Sequence, residues 1–294
     1  MFERLRANAA LRLAAFAAFL ALVGGVAALA GAATGSKPSA TPGGAMGADG
    51  GAMEMAAMSP AAQARTNGLA TSAAGYTFAP AQTTLPTGTS PYRFRIVDAS
   101  GSAVHDFDVD GGVRLHLIVV RRDFVGSPHL HPRLEPSGTW AVPLTLAAPG
   151  AYRVYADFEV GGEKTVLGQD LFVPGRFVPK PLAAVSATDS IDGYTVRLAR
   201  AELHAGKETK LHFLVSRNGR PVPRFETYVG HRGHMVALRD GDLAYSHVHP
   251  EPTGEPGEIV FHTALSNAGN YRLFLQFKSG GVVHTAPFTV EVAR

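Results

Sequence analysis

Tyr152-Arg153-Val154-Tyr155-Ala156-Asp157-Phe158 returns 119 residues later as Tyr271-Arg272-Leu273-Phe274-Leu275-Gln276-Phe277. In the first copy Tyr152, Val154, Ala156 and Phe158 form one apolar row, and in the second Tyr271, Leu273, Leu275 and Phe277 do the same. A period of two places those residues on one face of a β-strand, whereas a helix would repeat every 3.6. Leu211, Phe213 and Val215 alternate in the same way with His212 and Leu214. Turn sequences such as Ala99-Ser100-Gly101, Arg217-Asn218-Gly219 and Asp240-Gly241-Asp242 separate the runs. Short alternating runs between such turns predict half-buried strands in sandwiches. Beyond residue 33 no amphipathic helical period is visible.

The repetition extends well outside that heptapeptide. An offset of 118 aligns Gly75-Tyr76-Thr77 with Gly193-Tyr194-Thr195, Leu85 with Leu203, Val104 with Val222, Phe107 with Phe225 and Arg121 with Arg239. One unit of about 105 residues has been duplicated. The expected fold is all-β: two tandem immunoglobulin-like or cupredoxin-like β-sandwiches over residues 75–175 and 182–294, each of roughly six to eight strands. Gly150-Ala151-Tyr152 and Gly269-Asn270-Tyr271 have the form of a tyrosine corner, or of a core tyrosine after a turn glycine. The absent cysteines exclude an antibody-type disulfide core. Trp140, the only tryptophan, is expected to pack at an edge of the first core.

The N-terminus is basic (Arg4, Arg6, Arg12) and precedes an uncharged stretch of 21 residues, Leu13 to Ala33. That length suits a membrane-crossing helix with the N-terminus in the cytoplasm. Small residues at Ala28-Leu29-Ala30 and Ala30-Gly31-Ala32 suit a cleaved signal peptide equally. Residues 1–34 are therefore a signal anchor or a signal peptide. The bulk of the chain is expected outside the membrane, as a single-pass cell-membrane protein or a secreted one. Residues 35–74, rich in Ala, Gly and Met, read as a disordered tether that cannot form a core. A net charge of +3 without a basic cluster beyond the N-terminus argues against a nucleic-acid partner.

Chemistry concentrates in the histidines. His116-Leu-Ile-Val-Val-Arg leads to His129-Leu130-His131-Pro132, and His234-Met-Val-Ala-Leu-Arg leads to His247-Val248-His249-Pro250, with one spacing in both. Alternate strand residues share a face, so each His-x-His pair presents two rings together. A hairpin turning at Arg121–Gly126, or at Arg239–Ala244, returns His116 or His234 to that pair. The expected metal ligands are His116, His129 and His131 in the first unit and His234, His247 and His249 in the second, with His284 as fourth member there. Each hairpin is expected to close its histidines into a cluster, with the ring nitrogens of His234, His247 and His249 within about 3–5 Å of one another. His105 and Asp157 are further candidates in unit one, and His231 and His262 in unit two. The opposing reading makes the same residues a buried hydrogen-bond network that holds hairpins in register. His204 and His212 have no duplicated counterpart and read as structural or surface residues.

Imidazoles without a carboxylate cage suit copper or zinc rather than calcium or magnesium. A blue-copper centre needs a cysteine thiolate, and the chain has none. Met46, Met53, Met55 and Met58 add soft thioethers in the tether, which favours copper over zinc.

The segments Gly233–Pro250, Gly269–Phe277 and Val282–Phe288 together resemble those of exported, membrane-tethered actinobacterial proteins. The domains of those proteins are similar to small secreted domains associated with heavy-metal handling. The resemblance covers roughly residues 75–294. It implies that His234, His247, His249 and His284 are the family-like positions in unit two, and His116, His129 and His131 in unit one. Periplasmic Cu(I) chaperones are matched only at His234-Met235, without their later methionines.

Three functions follow. The leading one is capture or buffering of copper, alternatively zinc, at the cell surface. The second is a structural or protein-interaction module with a histidine network in its core. The third is a metal-dependent enzyme, which is disfavoured because only Asp108 and Glu226 offer an acid at one shared position. The chain is expected not to be an enzyme.

Overall fold

The computed structural model describes residues 67–126, 129–199, 202–246 and 248–294. The expected N-terminal helix and the methionine segment lie outside these residues. Among the described residues every strand pairing in a named sheet is antiparallel, and no helix is long and apolar enough to cross a membrane.

Among the described residues the first repeat holds nine strands. Its outer sheet has the order β1-β2-β3-β7-β6, from β1 (Ser72–Ala73), β2 (Tyr76–Pro80), β3 (Gly88–Val97), β6 (Arg133–Leu134) and β7 (Trp140–Leu146). Its inner sheet has the order β5-β4-β8-β9, from β4 (Leu115–Arg121), β5 (His129–Leu130), β8 (Gly150–Val160) and β9 (Glu163–Val173). Among the described residues the second repeat holds ten strands. Its outer sheet runs β10-β11-β12-β17-β16, with β13 (Arg220–Pro221) beside β12. These strands are β10 (Thr188–Ile191), β11 (Tyr194–Leu198), β12 (Glu208–Arg217), β16 (His249–Glu251) and β17 (Glu258–Ala264). Its inner sheet runs β15-β14-β18-β19, from β14 (Gly233–Arg239), β15 (Tyr245–Ser246), β18 (Gly269–Ser279) and β19 (Val282–Val292). The counts exceed six to eight because several paired segments are only two residues long.

Each repeat closes its two sheets over its own core. In the first, Trp140 lies between Phe94, stacked at 6.3 Å, and Phe107, edge-on at 5.0 Å. In the second, Phe213 meets Phe261 and Phe288. The tyrosines after glycine behave alike. Tyr152 OH donates to Ala148 O (2.7 Å) and Tyr271 OH to Asn267 O (3.0 Å), each tying a strand start to the preceding loop as a tyrosine corner does. The paired acids have matching structural roles. Asp108 accepts the Gly162 N–H and Glu226 the Gly281 N–H, closing the β8–β9 and β18–β19 turns.

The outer strands β3 and β12 keep the alternation of a half-exposed sheet, but the inner strands do not. On β4, Leu115, Leu117 and Val119 enter the repeat's own core while Ile118 and Val120 enter a third cluster. That cluster also takes Phe124, Tyr155 and Val166 from repeat one, with Val236, Leu238, Leu243, Tyr245 and Phe274 from repeat two. The two inner sheets thus pack on each other, and the positions expected to face solvent form a seam between the repeats. Two hydroxyls cross it: Tyr155 OH donates to Leu243 O (2.6 Å), and Tyr245 OH to Asp157 Oδ2 (3.0 Å).

Residues 67–74, expected to belong to the tether, are part of this structure. Gly68 N–H donates to Val166 O and Gly168 N–H to Ala70 O, so the segment runs along β9. Arg153 secures it by donating to Gly68 O and Leu69 O, and Tyr245 N–H donates to Asn67 O. The close approach needs a glycine at 168, where a Cβ would stand 1.8 Å from Gly68 O.

Candidate functional site

Strand parity decides which histidines reach the seam. His116 alternates with Leu115 and Leu117, which occupy the core, so its ring projects from the opposite face of β4. His234 does the same on β14, between Gly233 and the core residue Met235. The two rings, equivalent by the 118-residue offset, meet at 5.7 Å. The β4–β5 hairpin pairs Ile118 with His129 and sets His129 beside His116, their centroids 5.0 Å apart. His131, where the chain leaves β5 for the outer sheet, stands 5.1 Å from His116 and 5.0 Å from His129.

One ring nitrogen from each of His116, His129 and His131 lies within 4.8 Å of the others. The cluster therefore has the composition of a three-nitrogen metal site, and it also contains hydrogen bonds that need no metal. His129 Nδ1 is 2.7 Å from Gln276 Oε1, while Gln276 Nε2 donates to Thr285 Oγ1. His129 therefore carries its proton on Nδ1 and donates it across the seam to the amide oxygen. Its Nε2 is left as an acceptor, and His116 Nδ1, 2.8 Å away, donates to it. His234 donates its Nε2–H to Tyr228 O (3.0 Å) and Val229 O (3.2 Å), which leaves the lone pair on Nδ1. His131 Nε2 is buried and has no hydrogen-bond partner among the described residues.

Electrostatics keep His129, His131 and His234 neutral. Burial lowers the His129 pKa well below its ordinary value, and the neighbouring His116 and His131 lower it further. Burial, then His116, bring His131 and His234 each down to about 4. Neutral imidazole is the form that ligates metal and the form that both donates and accepts hydrogen bonds.

Two matching turns close one side of the cluster. Asp110 pairs with Val113 in repeat one, and Tyr228 with His231 in repeat two. They press so tightly that a Cβ on Gly111 would lie 2.3 Å from Val229 O, and one on Gly230 would lie 2.8 Å from Gly111 Cα. The Tyr228 ring flanks His131 at 5.9 Å and His234 at 5.3 Å, and His231 stands 5.7 Å from His234.

The triad expected in repeat one comes together, whereas the described members of the set expected in repeat two lie apart. His234 lies in the seam with the histidines of repeat one. His249 is exposed on β16 in the outer sheet, opposite His262 on β17. His247 lies outside the described residues. His284 shares its strand parity with Ala286 and Phe288, so it faces its own core rather than the seam. There its Nδ1 meets Asp192 Oδ2 at 2.7 Å and its Nε2 meets Ser279 O at 3.2 Å. The seam position on that strand is Thr285, which holds Gln276. His262 approaches Glu208, and His105 lies against the Gly138 turn. His212 pairs with Glu258, and His204 with the Arg294 carbonyl. Asp157, a further candidate ligand in unit one, accepts the Tyr245 hydroxyl. Gln276 and Tyr228 also border the cluster, and local sequence spacing singles out neither. The only advance signal for Gln276 was its alignment with Asp157.

A family model described as a domain of unknown function, DUF8832, matches residues 71–173 and again 189–294. No curated protein matches the chain. Among solved structures, a Salmonella alpha-2-macroglobulin variant matches 78% of this chain at 14% identity and a TM-score of 0.28; the chain spans 15% of that protein's length. The titin domains bound to telethonin match 74% of this chain and 95% of their own at 17% identity, TM-score 0.20. Domains 5–6 of the S-layer protein SbsC match 74% and 96% at 11% identity, TM-score 0.23.

Proposed function

We propose, from the premise that the chain belongs to the DUF8832 domain family and carries that domain twice, that its folded part is a structural or protein-interaction module whose repeats are fastened face to face by a histidine-centred hydrogen-bond network. The observation that carries this reading is the relay from His116 to His129 to Gln276, which starts in one repeat and ends in the other. The Leu13–Ala33 stretch would hold the module at the outer face of the cell membrane, or direct its secretion. Gln276→Ala tests the network. It strips the acceptor from a buried N–H, a loss of about 1–3 kcal/mol. Amide exchange should rise on β4 and β14 together, and an unchanged stability would refute the relay.

A second reading, metal capture outside the membrane, is favoured by the buried, unpartnered His131 Nε2 beside two further imidazoles. Copper or zinc would be its cargo, because the donors are all neutral nitrogens. The methionines of the tether would favour copper.

A further inference from the structure

The metal reading, if taken up, carries a specific architecture, and the inference here rests on that reading. We infer that the seam takes one divalent transition cation per chain, held by His116, His129 and His131 of repeat one and by His234 of repeat two, so that the ion clamps the repeats together.

Three observations lead there. First, the outer nitrogens already have the partners that orient ligating imidazoles. A histidine that binds a metal almost always donates its other N–H to a carbonyl or carboxylate oxygen. His129 Nδ1–H does so to the Gln276 amide oxygen, and His234 Nε2–H to the carbonyls of Tyr228 and Val229. In both rings the nitrogen left over carries a lone pair. Second, His131 Nε2 is shut from solvent without a hydrogen-bond partner, a deficit that an ion in the cluster would remove directly or by reorienting the ring. Third, the distances are short of coordination by little. Nitrogens around a tetrahedral ion with bonds of 2.0–2.1 Å stand about 3.3 Å apart, so the 4.8 Å span closes by roughly 1.5 Å at most. His234, its centroid 5.7 Å from those of both His116 and His129, borders the same space.

Loading and the empty network compete for one lone pair. His129 Nε2 now accepts the His116 Nδ1 proton. To bind an ion there, His116 moves that proton to its own Nε2 and turns Nδ1 inward. The proton count of the pair does not change. Among the described residues the second repeat assembles no such copy: His249 lies on the outer sheet and His284 faces the core.

The test uses the full chain without an affinity histidine tag, titrated with Zn(II) and with Cu(II), and Co(II) absorption to read coordination number. One equivalent per chain, a four-coordinate Co(II) spectrum and a Zn(II)-dependent rise in unfolding temperature are expected. His131→Ala should abolish binding, and His234→Ala should weaken it by more than the roughly 10–100-fold lost on removing an orienting partner, as in Gln276→Leu. Full-affinity binding in His234→Ala would overturn the inter-repeat site while leaving metal capture standing. Two equivalents per chain would overturn the single shared site in the same way. Absence of binding by the unaltered protein would remove the metal reading and this inference together. If His234→Ala fails to fold, pulsed EPR of the unaltered protein loaded with Cu(II) decides by counting coordinated imidazoles: four support the inter-repeat site and three overturn it.

Discussion

Replacing Tyr245 with phenylalanine removes one oxygen from the seam and leaves the ring that packs 5.6 Å from Tyr155. The lost hydroxyl donates to Asp157 Oδ2 at 3.0 Å, and both residues are buried. A hydrogen bond to a charged group contributes about 1.5–3 kcal/mol, against about 0.5–1.5 for a neutral pair. The neutral comparison is available in the same seam, because Tyr155 OH donates to the Leu243 carbonyl. Tyr245→Phe should therefore cost about 2 kcal/mol and Tyr155→Phe about 1. With a urea dependence of about 3 kcal/mol per molar, these become midpoint shifts of roughly 0.7 M and 0.3 M. Two probes read the unfolding. Trp140 fluorescence reports repeat one alone, since no other tryptophan exists, and circular dichroism reports both repeats. In the unaltered protein the two curves should coincide. Weakening the seam should draw them apart, more in Tyr245→Phe. Equal shifts, or a larger one for Tyr155→Phe, would refute the assignment of the stronger bond to the carboxylate.

The remaining predictions concern acid and the N-terminal segment. His131 and His234 take up protons near pH 4 when folded and near pH 6.5 when unfolded, so below 6.5 the unfolded chain binds more protons. Stability present above pH 6.5 should fall steadily toward pH 4, with His234 contributing at most roughly 2 kcal/mol of the loss by pH 5. A urea midpoint that stays level from pH 7.5 to 5 would contradict this. Gly168→Ala drives a Cβ into Gly68 O and should displace residues 67–71 while sparing both cores, at about 1–3 kcal/mol. Faster proteolysis confined to that segment is the expected readout, and an unchanged cleavage pattern would argue against it.

Alternation in Tyr152–Phe158 was enough to place the core-facing row, because a period of two assigns every second residue to one face. It misassigned the other row. Tyr155 and Asp157 are sheltered by the second repeat, and Phe274 and Gln276 by the first; a single strand's pattern contains no information about what covers its far side. The clue lay in Ile118, Val120, Val236 and Leu238, which are apolar at both parities and thereby mark strands buried on two faces. Parity also excludes His284 from the seam, since Ala286 and Phe288 on the same strand are core residues. The junction of His234 with His116 was beyond local spacing, because it depends on how two finished sheets meet.

The seam pairs each repeat's inner sheet with its own counterpart: His116 touches His234, and Gly111 touches Val229. Contacts between equivalent residues are the mark of a twofold, isologous interface, the commonest arrangement of a homodimer. The chain is in this sense a homodimer fused into one polypeptide. Fusion frees such an interface from its own symmetry. In two identical subunits each substitution near the axis appears twice, and a change useful on one side is imposed on the other. Here Asp157 and Gln276 occupy equivalent positions with different chemistry, one accepting a tyrosine hydroxyl and the other an imidazole N–H. His131 stays in the seam while its counterpart His249 faces water. Duplication supplied matched surfaces that fit each other from the outset, and covalent linkage allowed one side to specialise while the other kept the fit.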